Sequence, residues 1–148
     1  MKKNNAFLMV FAGCLMVSFS LFGTWVEYRY PHSLITNLNL PAICGAGFVS
    51  GLVSVLSAIW VLTQWVRHDL RPRLGQGLTI TAAVAAAPWI FEIVNIVPAL
   101  NSSDVEFEKI TFSFYLAGFG LLLWLIGARK IASTKPQNGH TEENAAHL

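Results

Sequence analysis

Four stretches of roughly twenty residues each, covering about 6–26, 41–66, 77–98 and 110–128, are nearly free of charge and constrain this chain more than anything else in it. A hydrocarbon core about 30 Å thick takes about 20 helical residues to cross. Inside it every backbone N–H and C=O must be paired within the protein, which makes helix the natural state of such runs. Composition agrees, with 54% apolar and 12% charged residues in 148, the charged share being about half that of an average soluble domain. The expectation is an all-α integral membrane protein, multi-pass, built as an up-and-down four-transmembrane-helix bundle. Residues 1–131 form that single domain, and the polar tail 132–148 reads as disordered.

The third run carries the most informative side chains. In Leu78–Pro98 only Glu92 and Asn95 interrupt the apolar sequence with strongly polar groups. Thr81, Ala85, Pro88, Glu92 and Asn95 follow one another at steps of four, three, four and three, which sets them on one helical face. That face is expected to meet protein, because an acid in lipid is costly unless paired or hydrated. Pro88 lacks an amide hydrogen and crowds the preceding turn, so a bend just before Glu92 is expected. Three readings of Glu92 follow. It is protonated and hydrogen-bonded to Asn95 or to a hydroxyl of another helix; it is ionised and paired with Arg29; or it lines a path for a proton, a cation or a substrate.

Small residues recur at helical spacing in the second and fourth runs. Gly47, Gly51, Ser54 and Ala58 lie at four, three and four, and Ala117 and Gly120 share a face with Ser113 and Gly127. In lipid such stripes let backbones approach closely and so read as helix-packing surfaces. Gly13, Ser20 and Thr24 do the same in the first run, which continues well past Cys14 and ends in aromatic residues, as a spanning helix does and a cleaved signal does not.

The connections are short. Val26–Tyr30 alternates apolar with charged or polar residues and suits an extended segment at the membrane surface, with Trp25, Tyr28 and Tyr30 as interfacial anchors. The acidic segment Ala99–Lys109 reads as a solvated loop, and its Asn101-Ser-Ser fits the glycosylation acceptor pattern for a lumenal loop of a eukaryotic protein. Lys2, Lys3, Arg67, Arg71, Arg73, Arg129, Lys130 and Lys135 fall on one side of the four runs and only Arg29 and Lys109 on the other. The positive-inside rule then sets both termini in the cytoplasm.

Cys14 and Cys44 lie at different depths on neighbouring helices, beyond bridging distance, and are expected as free thiols. Paired-histidine, cysteine-pair, phosphate-loop and nucleophile-elbow motifs are absent from the sequence. No catalytic residue, metal site or cofactor is therefore assigned. The net charge of +2 gives no ground for a nucleic-acid partner. The expected function is non-enzymatic: a small tetraspan protein acting through helix–helix contacts, as a subunit or organiser of a membrane complex. Its partners are membrane lipids and another membrane protein or further copies of itself. The alternatives are a small oligomeric transporter or channel using Glu92, and a membrane enzyme acting on a lipid-like substrate. In architecture the plan resembles claudin-like and MARVEL-type tetraspan proteins, and Gly23-Thr24-Trp25 is similar to the claudin group's loop entry. The cysteine pair that follows such a tryptophan in that group is missing, and the first loop is shorter than that group's extracellular sheet requires, so no family is assigned.

Overall fold

A computed structural model describes residues 2–29, 41–45, 47–67, 72–100 and 106–133. Among them are four α-helices and one short β-ribbon, in the order α1 (Lys2–Ser20), β1 (Val26–Arg29), a 3-10 turn (Ala42–Cys44), α2 (Gly47–Val66), α3 (Pro72–Leu100), β2 (Glu106–Ile110) and α4 (Phe112–Ala132). The stretches α2, Pro72–Pro98 of α3, and α4 are long and apolar enough to cross a membrane; the apolar part of α1, Asn4–Ser20, is slightly shorter. Three such helices mark the chain as a helical membrane protein.

Each helix packs against its sequence neighbours, and α1 closes on α4. Contacts fix the directions. Phe7 stacks on Trp65 with ring centroids 5.0 Å apart, and Ser18 Oγ lies 2.8 Å from Ser54 Oγ, so α1 and α2 run antiparallel. Ser50 reaches Ala85 while Gly77 meets Trp60, which makes α2 and α3 antiparallel. Trp89 stacks on Phe114 at 4.8 Å while Gly75 meets Ala128, and α3 and α4 follow the same rule. The chain thus runs up, down, up, down, with the exposed Arg67, Arg73, Arg129 and Lys130 at one end and the ribbon at the other.

The most extensive seam is α1 against α4. A Cβ added at Gly13 would lie 2.5 Å from the Gly120 carbonyl oxygen, and one at Gly127 would lie 2.7 Å from that of Ala6. Backbone meets backbone there because neither helix presents a side chain. Val10, Cys14, Val17, Val61, Leu78, Ala82, Leu121 and Trp124 fill the interior between the helices. Leu8, Leu15, Phe19, Leu56, Ile80, Val84, Phe119 and Leu122 point outward, as lipid-facing residues do.

The ribbon end departs from the expected helix limits. α1 stops at Ser20, whose hydroxyl bonds back to its own Val17 carbonyl at 2.7 Å and accepts from Trp25 Nε1 at 3.4 Å. Trp25 is only 4% exposed, in a second cluster with Leu21, Val26, Phe114 and Ala117. Trp25 is therefore a core residue of the ribbon end, not an interfacial anchor. Pro41 precedes a 3-10 turn, and α2 proper begins at Gly47.

The extended segment expected at Val26 is present, and its partner is the acidic segment that had read as a loop. Val26 pairs with Ile110, Glu27 with Lys109, Tyr28 with Phe107 and Arg29 with Glu106, antiparallel, with a register shift that skips Glu108. Lys109 Nζ is 3.1 Å from Glu27 Oε2. Thr111, which precedes α4, donates through Oγ1 to the carbonyls of Thr24 and Trp25. The ribbon thereby ties the exit of α1 to the entry of α4 and continues their seam.

Candidate functional site

The inner face of α3 can be followed residue by residue. Leu74, Leu78, Ala82 and Ala85 are buried, and the same three- and four-residue steps lead on to Trp89, Glu92 and Ile96. Trp89 locks the helix to α4. Its Nε1–H donates to the Phe114 carbonyl at 3.1 Å, and its ring fits against Gly118, where a Cβ would come within 2.8 Å of it. Ile96 packs against the Trp25 cluster.

Proline does not interrupt α3, which is helical through Pro88. The missing amide leaves the Val84 carbonyl, four residues back, without its usual donor, and the proline ring pushes against that carbonyl and so strains the turn that holds the next one. Ser50 Oγ donates to that next one, of Ala85, at 2.6 Å. A hydroxyl from α2 thus supports the turn that precedes Glu92, one of the ways in which membrane helices tolerate proline.

Ser50 is also close to the start of α2 at Gly47. Beyond that level α3 runs on through Ile90–Pro98 with Ile90, Phe91, Ile93, Val94, Val97 and Pro98 exposed. Glu92 and Asn95 lie in this outer third, both half-buried. At 1.5 Å per residue Glu92 is about 9 Å along the axis from Pro98 and about 30 Å from Pro72. Neither Glu92 nor Asn95 forms a hydrogen bond or ion pair with any described residue, so the Glu92–Asn95 bond that the first of the three readings allowed is not present among them. The Arg29 side chain lies outside what is described, as does Asn101. Lys109 is engaged by Glu27.

The small-residue stripes face inward. A Cβ on Gly51 would run into Leu21 of the α1 exit. Ser54 accepts or donates to Ser18 and bonds its own Gly51 carbonyl at 2.9 Å. Ala58 is buried in the main core and Ala117 in the ribbon-end cluster. Gly120 meets the Gly13 carbonyl oxygen, 2.9 Å from an added Cβ. Gly47 plays a different part: its Cβ would meet the Ala42 carbonyl oxygen at 2.6 Å, so it closes the turn into α2 instead of joining two helices. These stripes are consumed in closing the protein on itself.

Four contributors escaped the sequence reading. Ser50 sits one position off the Gly47–Ser54 stripe, and neither Trp89 nor Thr111 stands out by spacing. Trp124 is fully buried, and its Nε1 has no hydrogen-bond partner, a feature that no spacing rule announces. Cys14 and Cys44 are both free thiols, the first buried and the second exposed. Among the described residues no three histidine, cysteine or acidic side chains converge as a metal site would require. No protein family, curated protein or solved structure matches this chain.

Proposed function

We propose that this protein crosses the membrane four times with both termini in the cytoplasm, and that it acts non-enzymatically through helix–helix contacts as a subunit or organiser of a larger membrane complex. The fourth span is α1. Its apolar part, Asn4–Ser20, is about 26 Å long and packs beside two membrane-length helices with Leu8, Leu15 and Phe19 turned outward. The cations at the α2–α3 connection and at the end of α4 favour the cytoplasm for that end, which turns the ribbon and the 3-10 turn outward.

The observation that carries the subunit reading is the outer third of α3. The stripes of α2 and α4 are taken up in closing the bundle, whereas Ile90–Pro98 extends past the start of α2 with Ile90, Phe91, Ile93, Val94 and Val97 exposed on the side away from Glu92 and Asn95, which are half-buried and bonded to no described residue. A helix face of this kind is completed by another helix. A photo-crosslinking residue at Phe91 or Val94 is expected to capture protein, while the same residue at Leu56, on the outward face of α2, captures lipid. Lipid capture at all three positions would overturn the reading. Glu92, bonded to no described residue, also supports a second reading, a small oligomeric transporter or channel, which requires Glu92→Gln to abolish a flux without lowering expression.

A further inference from the structure

We propose that the cytoplasmic end of the groove between α2 and α3 holds the headgroup of an anionic phospholipid, with Arg67 and Arg73 on its phosphate and an acyl chain lying along the groove above them. The inference goes beyond the subunit reading and does not depend on it, since it needs only that these two helices stand in a bilayer.

Helical geometry brings the two arginines together. The helices abut where the Trp60 ring meets Gly77, with Cη2 2.7 Å from an added Cβ. Arg67 follows Trp60 by seven residues, and its N–H still donates to the Thr63 carbonyl at 3.1 Å. The helix therefore carries it to within about 20° of the same face, about 10 Å closer to the cytoplasm. Arg73 precedes Gly77 by four residues, which turns it about 40° from the contact and takes it about 6 Å the same way. The antiparallel pair thus sets both arginines along one seam, about 4 Å apart in depth, and both are exposed. Residues 67–73 hold Arg67, Arg71 and Arg73 against one acid, Asp69, so the local balance stays positive whichever arginine Asp69 meets.

Above the arginines the groove is apolar. Leu56 lies one turn outward of Trp60, and Ile80 and Val84 lie one and two turns outward of Gly77 on the same flank. All three are exposed, as is Trp60. A cationic foot beneath an apolar wall at membrane depth fits a lipid with an anionic head. Two guanidinium groups take a phosphate through charge-assisted hydrogen bonds, an acyl chain covers the wall, and anionic lipids are concentrated in the cytoplasmic leaflet. Arg129 and Lys130 do not share this groove. They belong to α4, which packs on α1 and α3, and Lys130 Nζ is 3.7 Å from Met9 Sδ of α1.

The test places the full chain in phosphatidylcholine vesicles containing a minor fraction of phosphatidylglycerol or of phosphatidylcholine, either one brominated in its acyl chains. Bromine quenches only nearby indoles, and the difference between wild type and Trp60→Phe isolates the signal of Trp60. At about fivefold per arginine near the bilayer surface, phosphatidylglycerol should be preferred at Trp60 by at least about tenfold. Arg67→Gln combined with Arg73→Gln should abolish that preference, the paired lysine variant should keep part of it, and Arg129→Gln should leave it whole. Protection of the buried Cys14 thiol verifies that each variant is folded. Equal quenching by the two brominated lipids overturns the inference. So does a preference that survives in the double glutamine variant or falls as far in Arg129→Gln, because it then belongs to the net charge of this end and not to the groove. Inorganic phosphate that displaces phosphatidylglycerol from Trp60 at constant ionic strength would assign the arginines to a soluble anion and overturn the lipid assignment.

Discussion

Replacing Gly13 by alanine tests the α1–α4 seam with a single methyl group. The new Cβ would sit 2.5 Å from the Gly120 carbonyl oxygen and 2.7 Å from the Trp124 backbone nitrogen, where ordinary contact begins at 3.4 Å. The shortfall of about 0.9 Å is against backbone on a facing helix, so no rotamer change relieves it and α1 must move away from α4. A gap of 0.5–1 Å forfeits a quarter to a half of each dispersion contact along the seam, and overpacking of this kind costs about 1–3 kcal/mol. Gly77→Ala is the internal contrast. There the Cβ would meet Trp60 Cη2 at 2.7 Å, the tip of an exposed ring that can swing outward, and the change should stay within about 0.5 kcal/mol. Cys14 supplies the assay, since its buried thiol follows Gly13 directly and reacts only when the seam opens. At 1.4 kcal/mol per decade, Gly13→Ala should speed its alkylation about 5- to 150-fold, with Cys44 labelling unchanged. Wild-type alkylation kinetics in Gly13→Ala would refute the close backbone packing.

Trp124→Phe removes an indole N–H that has no partner. The relief of an unsatisfied buried donor, about 1–3 kcal/mol, offsets the lost packing, so stability should remain within about 1 kcal/mol of wild type; a loss beyond about 3 kcal/mol would mean that the N–H is satisfied. Ser50→Ala should cost about 0.5–1 kcal/mol, the usual worth of an interhelical hydrogen bond in a membrane, and should raise amide hydrogen exchange locally in the turn around Ala85–Trp89. Unaltered exchange there would show that the Ser50 bond does not support the proline turn. In intact cells a membrane-impermeant maleimide should label Cys44 from outside and leave Cys14 untouched. Labelling of Cys44 only after the membrane is opened would reverse the proposed orientation.

The helices were legible in the sequence because the demand for an apolar run of membrane length is local. Their ends at the ribbon were not. Leu21–Val26 is as apolar as the helix before it, and only the contacts of Trp25 with Ser20 and the cluster around Phe114 show that the chain has already turned. The ribbon is a pairing of two segments some eighty residues apart. The alternation at Val26–Tyr30 revealed one half, whereas the acidic alternation before Ile110 looked like a solvated loop, since a strand edge gains its meaning from its partner. Small-residue spacing singles out Gly51, Ser54, Ala58, Ala117 and Gly120, but spacing does not say whether the neighbour belongs to the same chain. Here Leu21, Ser18 and Gly13 are those neighbours. Glu92 stood out as a carboxylate in an apolar run. What the sequence withheld is that Asn95, on the same face, does not bond to it.

Native mass measurement of the protein extracted in a mild detergent addresses the subunit reading most directly. That reading predicts a particle containing a different membrane protein, lost or weakened by substitution in Ile90–Pro98. A particle whose mass is one copy, or a whole-number multiple of one copy, would contradict it and shift attention to Glu92 as the centre of a self-assembled transport path.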